Sequence, residues 1–239
     1  MTIRSWRSFG ASVIGPAHVA TGKPNQDAWA AFHHPWGYGI VVSDGLGSKP
    51  YSDWGSTAAC RAVELAGASL GYTSTPESFV STIHEEWLRA IEPLSPHDSA
   101  ATCVFAIVTP DNRLHLGLLG DGAAIVVMLD GSVVALADDK SGSFSNMTSA
   151  LTSRVDVSAW QTSTLDAAKC AAVVLCTDGV SDDLEDVTGF ARGVTMSFGP
   201  LSVAAAIRRT RAMLSDWPVP KHSDDKTLAC LLRERGAND

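Results

Sequence analysis

The sequence lacks any run of about 18 or more uncharged apolar residues, so nothing in it reads as a membrane span. It lacks a Lys/Arg block as well, and its formal net charge is −8. Both features disfavour nucleic acid as a partner, because neutralising a phosphate backbone needs clustered positive charge. Cysteine is sparse and unpatterned: Cys60, Cys103, Cys170, Cys176 and Cys230 sit in apolar segments without Cys-x-x-Cys spacing. Free buried thiols are therefore expected, and a structural zinc site is not. Met1 to Gly15 carries Arg4, Arg7 and serines rather than a basic segment followed by an apolar block, so no secretory signal is read and a cytoplasmic location is expected. No repeat, low-complexity tract or Pro/Ser-rich linker divides the 239 residues, which are expected to form one domain, 1–239.

What is present is a series of apolar runs that end at aspartates. A strand is expected from Trp6 to Ile14, then a turn-rich stretch from Gly15 to Asp27, then a buried strand Tyr38 to Val42 running into Ser43-Asp44-Gly45-Leu46-Gly47-Ser48. Helices are expected from about Asp53 to Leu70 and from Pro76 to about Ile91. Ser74 or Thr75 can cap the second, and Pro76 and Glu77 suit its first turn. Strand-like runs follow at 101–108, 114–119, 124–129 and 133–136, with Asp111-Asn112 and Asp130-Gly131 as turns, which reads as an antiparallel meander. Asp139 to Thr164 is polar and aperiodic and is expected to be an irregular flap. Lys169 to Cys176 is a strand ending at Thr177-Asp178-Gly179, Leu201 to Leu214 a helix with Val203, Ile207 and Leu214 inward, and Thr227 to Leu232 a final strand after Ser223-Asp224-Asp225. This order predicts an α+β fold rather than a strictly alternating parallel sheet.

Asp27, Asp44, Asp178 and Asp224 each stand at the edge of an expected strand. A single Asp-Gly is an ordinary turn dipeptide. Four carboxylates mounted on rigid strand ends can instead converge on one place. Hard divalent cations take carboxylate, carbonyl and water oxygens, and Asp44 followed by Gly45 offers a carboxylate beside an unobstructed carbonyl.

Six motifs stand in order along the chain: Gly22-Lys23-Pro24-Asn25-Gln26-Asp27, Ser43-Asp44-Gly45-Leu46-Gly47, Asp98-Ser99-Ala100-Ala101-Thr102, Leu119-Gly120-Asp121-Gly122, Cys176-Thr177-Asp178-Gly179-Val180-Ser181-Asp182, and Asp224-Asp225-Lys226-Thr227. Over nearly its whole length the sequence thereby resembles the type 2C metal-dependent Ser/Thr protein phosphatases, and more closely a bacterial subgroup with a variant amino-terminal motif. The resemblance implies a four-layer αββα sandwich of two antiparallel sheets flanked by helices, with a binuclear Mn²⁺ or Mg²⁺ site at one end. It implies Asp44 as the bridging ligand, the Gly45 carbonyl as a ligand of the second ion, and Asp178 and Asp224 as ligands of the first. Asp27 is implied as the acid that orients the attacking water, Asp98 as a ligand of a third, weaker ion, and Asp121 as a structural residue at a hairpin edge. The implied partner is a phosphorylated protein, the target of a Ser/Thr kinase, and the chain is expected to act as a monomer without nucleic acid or membrane.

The chain departs from the family pattern in three places. The stretch where many members carry a phosphate-binding arginine reads His18-Val19-Ala20-Thr21-Gly22-Lys23, so His18 or Lys23 stands in its place, and His18 joins Asp27 and Asp44 as a candidate catalytic residue. Gln26 replaces the usual glutamate, and Leu46 replaces a histidine that some members use as a general acid. These changes leave open a regulatory or scaffold protein of weak activity. Neither a Cys-x₅-Arg loop nor an Asp-x-Asp motif after a strand is present, which argues against a phosphoenzyme mechanism. The other histidines read as surface or hydrogen-bonded residues, with His33-His34 in an exposed turn and His222 a spacer; Trp29, Trp54 and Trp87 read as core or rim packing.

Overall fold

The strands read as nearly unbroken apolar runs because most of them bury two faces. The computed structural model describes residues 5–70, 75–137 and 149–234. Its elements are β1 (Trp6–Val13), α1 (Pro16–Thr21), β2 (Asp27–His34), β3 (Gly37–Asp44), α2 (Ser52–Gly67), α3 (Pro76–Ala90), β4 (Cys103–Val108), β5 (Arg113–Leu119), β6 (Ala123–Met128), β7 (Val133–Ala137), β8 (Gln161–Asp166), β9 (Cys170–Cys176), α4 (Asp178–Ser181), α5 (Val187–Phe198), α6 (Val203–Ser215) and β10 (Lys226–Arg233). They form two antiparallel five-stranded sheets, ordered β1-β10-β9-β6-β7 and β2-β3-β4-β5-β8.

Period-two alternation divides each strand between two cores. Ile40, Val42, Val104, Ala106, Val126, Val173, Leu175 and Leu231 meet between the sheets. Val41, Phe105 and Ile107 face the other way, against Ala59, Val63, Ile83 and Trp87 of α2 and α3. Ile125, Val174 and Cys230 face Val194 and Phe198 of α5 and Leu214 of α6. The result is the expected four-layer αββα sandwich. Each fully buried Val, Ile or Leu contributes about 1.5–3 kcal/mol relative to exposure, so three contiguous cores outweigh any surface pairing. All five cysteines are buried and free. Among the described residues no helix is long and apolar enough to cross a membrane.

Local signals worked where they rest on backbone chemistry. Thr75 caps α3 in a capping box with Ser78, and Asn112 takes φ 61° in the β4–β5 turn. Other expectations are corrected. The stretch after Gly15 is not all turn, since Pro16 opens α1 and Gly22 closes it at φ 68°. The 101–136 strands are not one meander: β4 and β5 lie in one sheet and β6 and β7 in the other. The chain changes sheets at Gly120 and Gly122, with φ of 87° and 118° that other residues rarely adopt.

The expected flap from Asp139 to Thr164 falls partly on residues 138–148, outside the described residues; beyond them, β8 pairs with β5 as an edge strand. Leu165 is the single apolar residue of β8 and none of its residues is buried, so there was no apolar periodicity to detect. His33 and His34 lie in β2, where His33 stacks on Tyr38 at 4.2 Å and His34 Nε2 lies 2.9 Å from Glu64 Oε1. In α6 the inward residues are Ala206, Thr210 and Leu214, whereas Val203 and Ile207 are exposed, because the helix docks on β1 through its small side chains. Trp87 is fully buried, Trp29 half-buried, and Trp54 is 66 % exposed.

Helix α2 also packs on the loop before β4. Trp87 Nε1 donates to the Gly55 carbonyl at 3.0 Å, and a methyl group on Gly55 would overlap the Ser99 carbonyl. Gly→Ala inside a helix normally gains about 1 kcal/mol, but overpacking against backbone costs about 1–3 kcal/mol. Gly55→Ala is therefore expected to lower stability by about 1 kcal/mol or more in urea denaturation. A gain in stability would show that the Ser95–Ser99 turn yields freely.

Candidate active site

The β2–β3 hairpin places Asp27 directly opposite Asp44, since the two are register partners at the open end of the ladder. Like charges so placed oppose folding, yet the surrounding bonds hold both. Asp44 N donates to Thr102 Oγ1 at 2.9 Å and Thr102 N donates to Asp44 O at 2.8 Å, which fixes the end of β3 on β4. Thr177 Oγ1 donates to Asp27 Oδ2 at 2.8 Å, linking the end of β9 to the start of β2. Gly45 N donates to Gln26 O at 3.0 Å, and a Cβ at Gly45 would overlap the Ser52 backbone, so the chain passes α2 there only as glycine.

From the other sheet, β9 delivers Asp178 and the approach to β10 delivers Asp224. Asp178 Oδ1 accepts from Gly179 N at 2.7 Å, and Asp224 Oδ1 accepts from Asp225 N at 2.9 Å. Gly179 passes so close to the Asp225 carbonyl that any side chain would overlap it.

The charges of these four residues act on one another. Burial, with Asp225 nearby, pushes Asp27 up to about 7 from 3.8, although hydrogen bonds from Thr227 and Thr177 and one shared with Asp44 oppose the rise. Burial and the charges of Asp27, Asp178 and Asp224 hold Asp44 well above the carboxylate range. Burial and Asp224 push Asp178 up to about 6, with Asp182 and Asp121 adding to the rise. Asp121, in the crossover between β5 and β6, thus lies within electrostatic reach of the cluster.

The residue that sequence reasoning passed over is Asp225. Its carboxylate is buried and accepts from Gly15 N at 2.6 Å and Gln26 N at 2.6 Å, with His18 Nδ1 at 2.9 Å. His18 is thereby fixed on Asp225. Lys23 Nζ donates to Gly47 O at 3.0 Å, on the loop that follows Asp44-Gly45. An Asp-Asp doublet before the last strand was the available signal for Asp225, but nothing local says that the second carboxylate turns inward. Asp98 lies in the turn before β4, where its carboxylate is 3.1 Å from His97 Nδ1 and its carbonyl accepts from Tyr51 N at 3.0 Å.

The donor chemistry suits hard divalent cations: clustered carboxylates, a glycine carbonyl beside Asp44, and the buried Gln26 Oε1, which has no hydrogen-bond partner. As placed, no three His, Cys, Asp or Glu side chains among the described residues form a ready cage for one ion. Asp178 and Asp224 each spend one oxygen on the next backbone amide.

Comparison with known proteins agrees with the fold. The family model described as "Protein phosphatase 2C" matches residues 14–217. Serine/threonine-protein phosphatase 3 of Escherichia coli (strain K12) is 28 % identical over 191 residues, 74 % of each chain. Among solved structures, a bacterial serine phosphatase superposes with a TM-score of 0.69 at 14 % identity, covering 97 % of this chain and 99 % of that one. The catalytic domain of the serine threonine protein phosphatase PstP, in complex with 2 manganese ions, gives a TM-score of 0.61 at 16 % identity, covering 96 % and 99 %.

The electrostatics predict an unusual pH response for the metal-free protein. A carboxyl whose folded pKa is raised holds a proton that the unfolded chain releases, so stability falls as pH rises from the unfolded value near 3.8 through the folded value near 7. In chelator the wild type is expected to lose about 2 kcal/mol or more across this range. Asp44→Asn removes part of the repulsion and is expected to be more stable than wild type at pH 7 in chelator. Urea denaturation at pH 4.5, 6 and 7.5 measures both; a less stable Asp44→Asn at pH 7.5 would refute the mutual repulsion.

Proposed function

Because the chain belongs to the protein phosphatase 2C family, we propose that it dephosphorylates phosphoserine and phosphothreonine in proteins with water activated at a binuclear Mn²⁺ or Mg²⁺ site. The observation that carries this reading is the convergence of Asp27, Asp44, Asp178 and Asp224, from both sheets, closely enough that Asp27, Asp178 and Asp224 all raise the pKa of Asp44 and Asp224 raises that of Asp178. Carboxylates held in a buried place, with neighbouring like charges, carry a cost that bound cations relieve. The names of the E. coli relative and of the manganese-bound structure support the same substrate class and metal. We assign the activity to one catalytic domain, 1–239, whose partner is a phosphorylated protein.

Divalent cations, when bound, supply charge to the phosphate oxygens and lower the pKa of water so that hydroxide can attack in line. Asp44 would bridge the pair, being the residue on which all three other carboxylates act. Gly45 would lend its carbonyl on one side, and Asp178 and Asp224 their free oxygens on the other. Asp27 would orient the attacking water, with Thr177 fixing its rotamer. No protein nucleophile is needed. His18 acts through Asp225, holding the Gln26-Asp27 backbone in place.

The experiment is p-nitrophenyl phosphate hydrolysis with Mn²⁺, in EDTA, and after Mn²⁺ is restored. Activity should vanish on chelation and return with metal, and Asp44→Asn should keep less than about 10 % of turnover, since a lost metal anchor removes several kcal/mol of transition-state stabilisation. Full activity in EDTA after confirmed metal removal would refute the mechanism. Absence of turnover in metal-loaded protein would favour a scaffold role.

Asp98 is proposed as the ligand of a third, weaker ion at the cleft edge. Its carboxylate is part-exposed and shared with His97, so its loss should spare the fold and the two tight ions. Asp98→Ala should lower phosphopeptide turnover by about tenfold, or ~1.4 kcal/mol. Unchanged phosphopeptide kinetics would make Asp98 a turn residue only.

A further inference from the structure

The acidic end of the sandwich contains a buried cation that the metal mechanism does not use. Lys226 opens β10 opposite Val13 of β1 and is 2 % exposed. It is the only lysine or arginine among the described residues to be buried to this degree. Its Nζ donates to the backbone carbonyl of Asp224 at 2.8 Å. Asp183, Asp224, Asp225 and Asp27 all lie within electrostatic reach of the ammonium. Asp183 is itself held by Trp217 Nε1 at 2.8 Å, and Asp225 by its own three donors, so neither can swing away.

A lysine chain has ample length to leave a strand end and reach water. Burial of its charge costs several kcal/mol unless anions compensate. Here the compensation comes first from Asp183 and then from Asp224, which would hold the metal, with Asp225 and Asp27 beside it, so the ammonium and divalent ions share part of one negative field.

We infer that Lys226 is a resident counter-cation of the site. It stabilises the carboxylate cluster in the metal-free protein, grips the Asp224 backbone, and opposes divalent cations once they bind. Lys226 is a positioning residue: it sets the strength of metal binding without touching substrate. The inference rests on the two-cation reading of the site.

The sign of the effect separates this role from simple packing. Lys226→Met removes both the charge and the bond to Asp224 O; Lys226→Gln removes the charge and keeps an N–H donor. Calorimetric titration with Mn²⁺ should show both variants binding at least about threefold more tightly than wild type. Urea denaturation should show both destabilised in chelator, and less so in saturating Mn²⁺, as linkage requires. A Lys226→Met protein that can be purified only with Mn²⁺ present would support the same conclusion.

Weaker Mn²⁺ binding in both variants would overturn the inference and make the grip on Asp224 the whole of the role. Equal destabilisation with and without metal, or wild-type behaviour of Lys226→Gln in both measurements, would also overturn it. A wild-type protein that takes up no Mn²⁺ would sink the two-cation reading itself. Wild-type uptake with unaltered variants would sink only the role of Lys226.

Discussion

The buried carboxylate of Asp225 is the interaction on which the rest of the site depends. It gathers two backbone amides and an imidazole from three places: Gly15 after β1, Gln26 before β2, and His18 in α1. β1 and β10 belong to one sheet and β2 to the other, so this carboxylate ties the sheets together at the end where the cluster forms. Hydrogen bonds to an ionised acceptor are worth more than neutral ones, about 1.5–3 kcal/mol each. Three in a buried place can hold an arrangement that its own electrostatics oppose.

That opposition is considerable. Asp27 and Asp44 face each other across a ladder, and Asp178 and Asp224 approach from the second sheet. No local preference favours such a grouping. It is sustained by packing elsewhere: three apolar cores fix the strands, and the strand ends carry the carboxylates wherever the registers put them. Rigid strands suit this better than loops, because a mobile segment would relax the repulsion by moving apart. Stability is therefore given up at Asp44 to keep the carboxylates together.

Glycine performs a separate task around the same site. Gly45 passes the Ser52 backbone, Gly179 passes the Asp225 carbonyl, and Gly55 passes the Ser99 carbonyl, all without room for a Cβ. Close passage lets four chain segments meet. Asp-Gly pairs thus serve here less as turns than as places where two backbones touch.

Much of this was legible in the amino-acid sequence. The strands β3, β4, β9 and β10 announced themselves as apolar runs because both faces are buried, and α3 by its cap and first-turn residues. The aspartates at strand ends, taken with the order of six motifs, marked the candidate site residues. What periodicity could not show was β8, whose edge position leaves one face polar, or the outward turn of Val203 and Ile207, which depends on how closely α6 approaches β1.

Nor could it show which sheet each strand joins. Gly120 and Gly122 allow the change of sheet, but only packing between the layers imposes it. The sequence by itself determined the chemistry available: oxygen donors, no patterned thiols, and no protein nucleophile in a known phosphatase motif. Tertiary structure alone decided how those donors are used. It turned His18 onto Asp225, joined Thr177 to Asp27, and buried Lys226 within electrostatic reach of Asp183 and Asp27. Such pairings join residues up to 207 positions apart, and no local rule of spacing reaches that far.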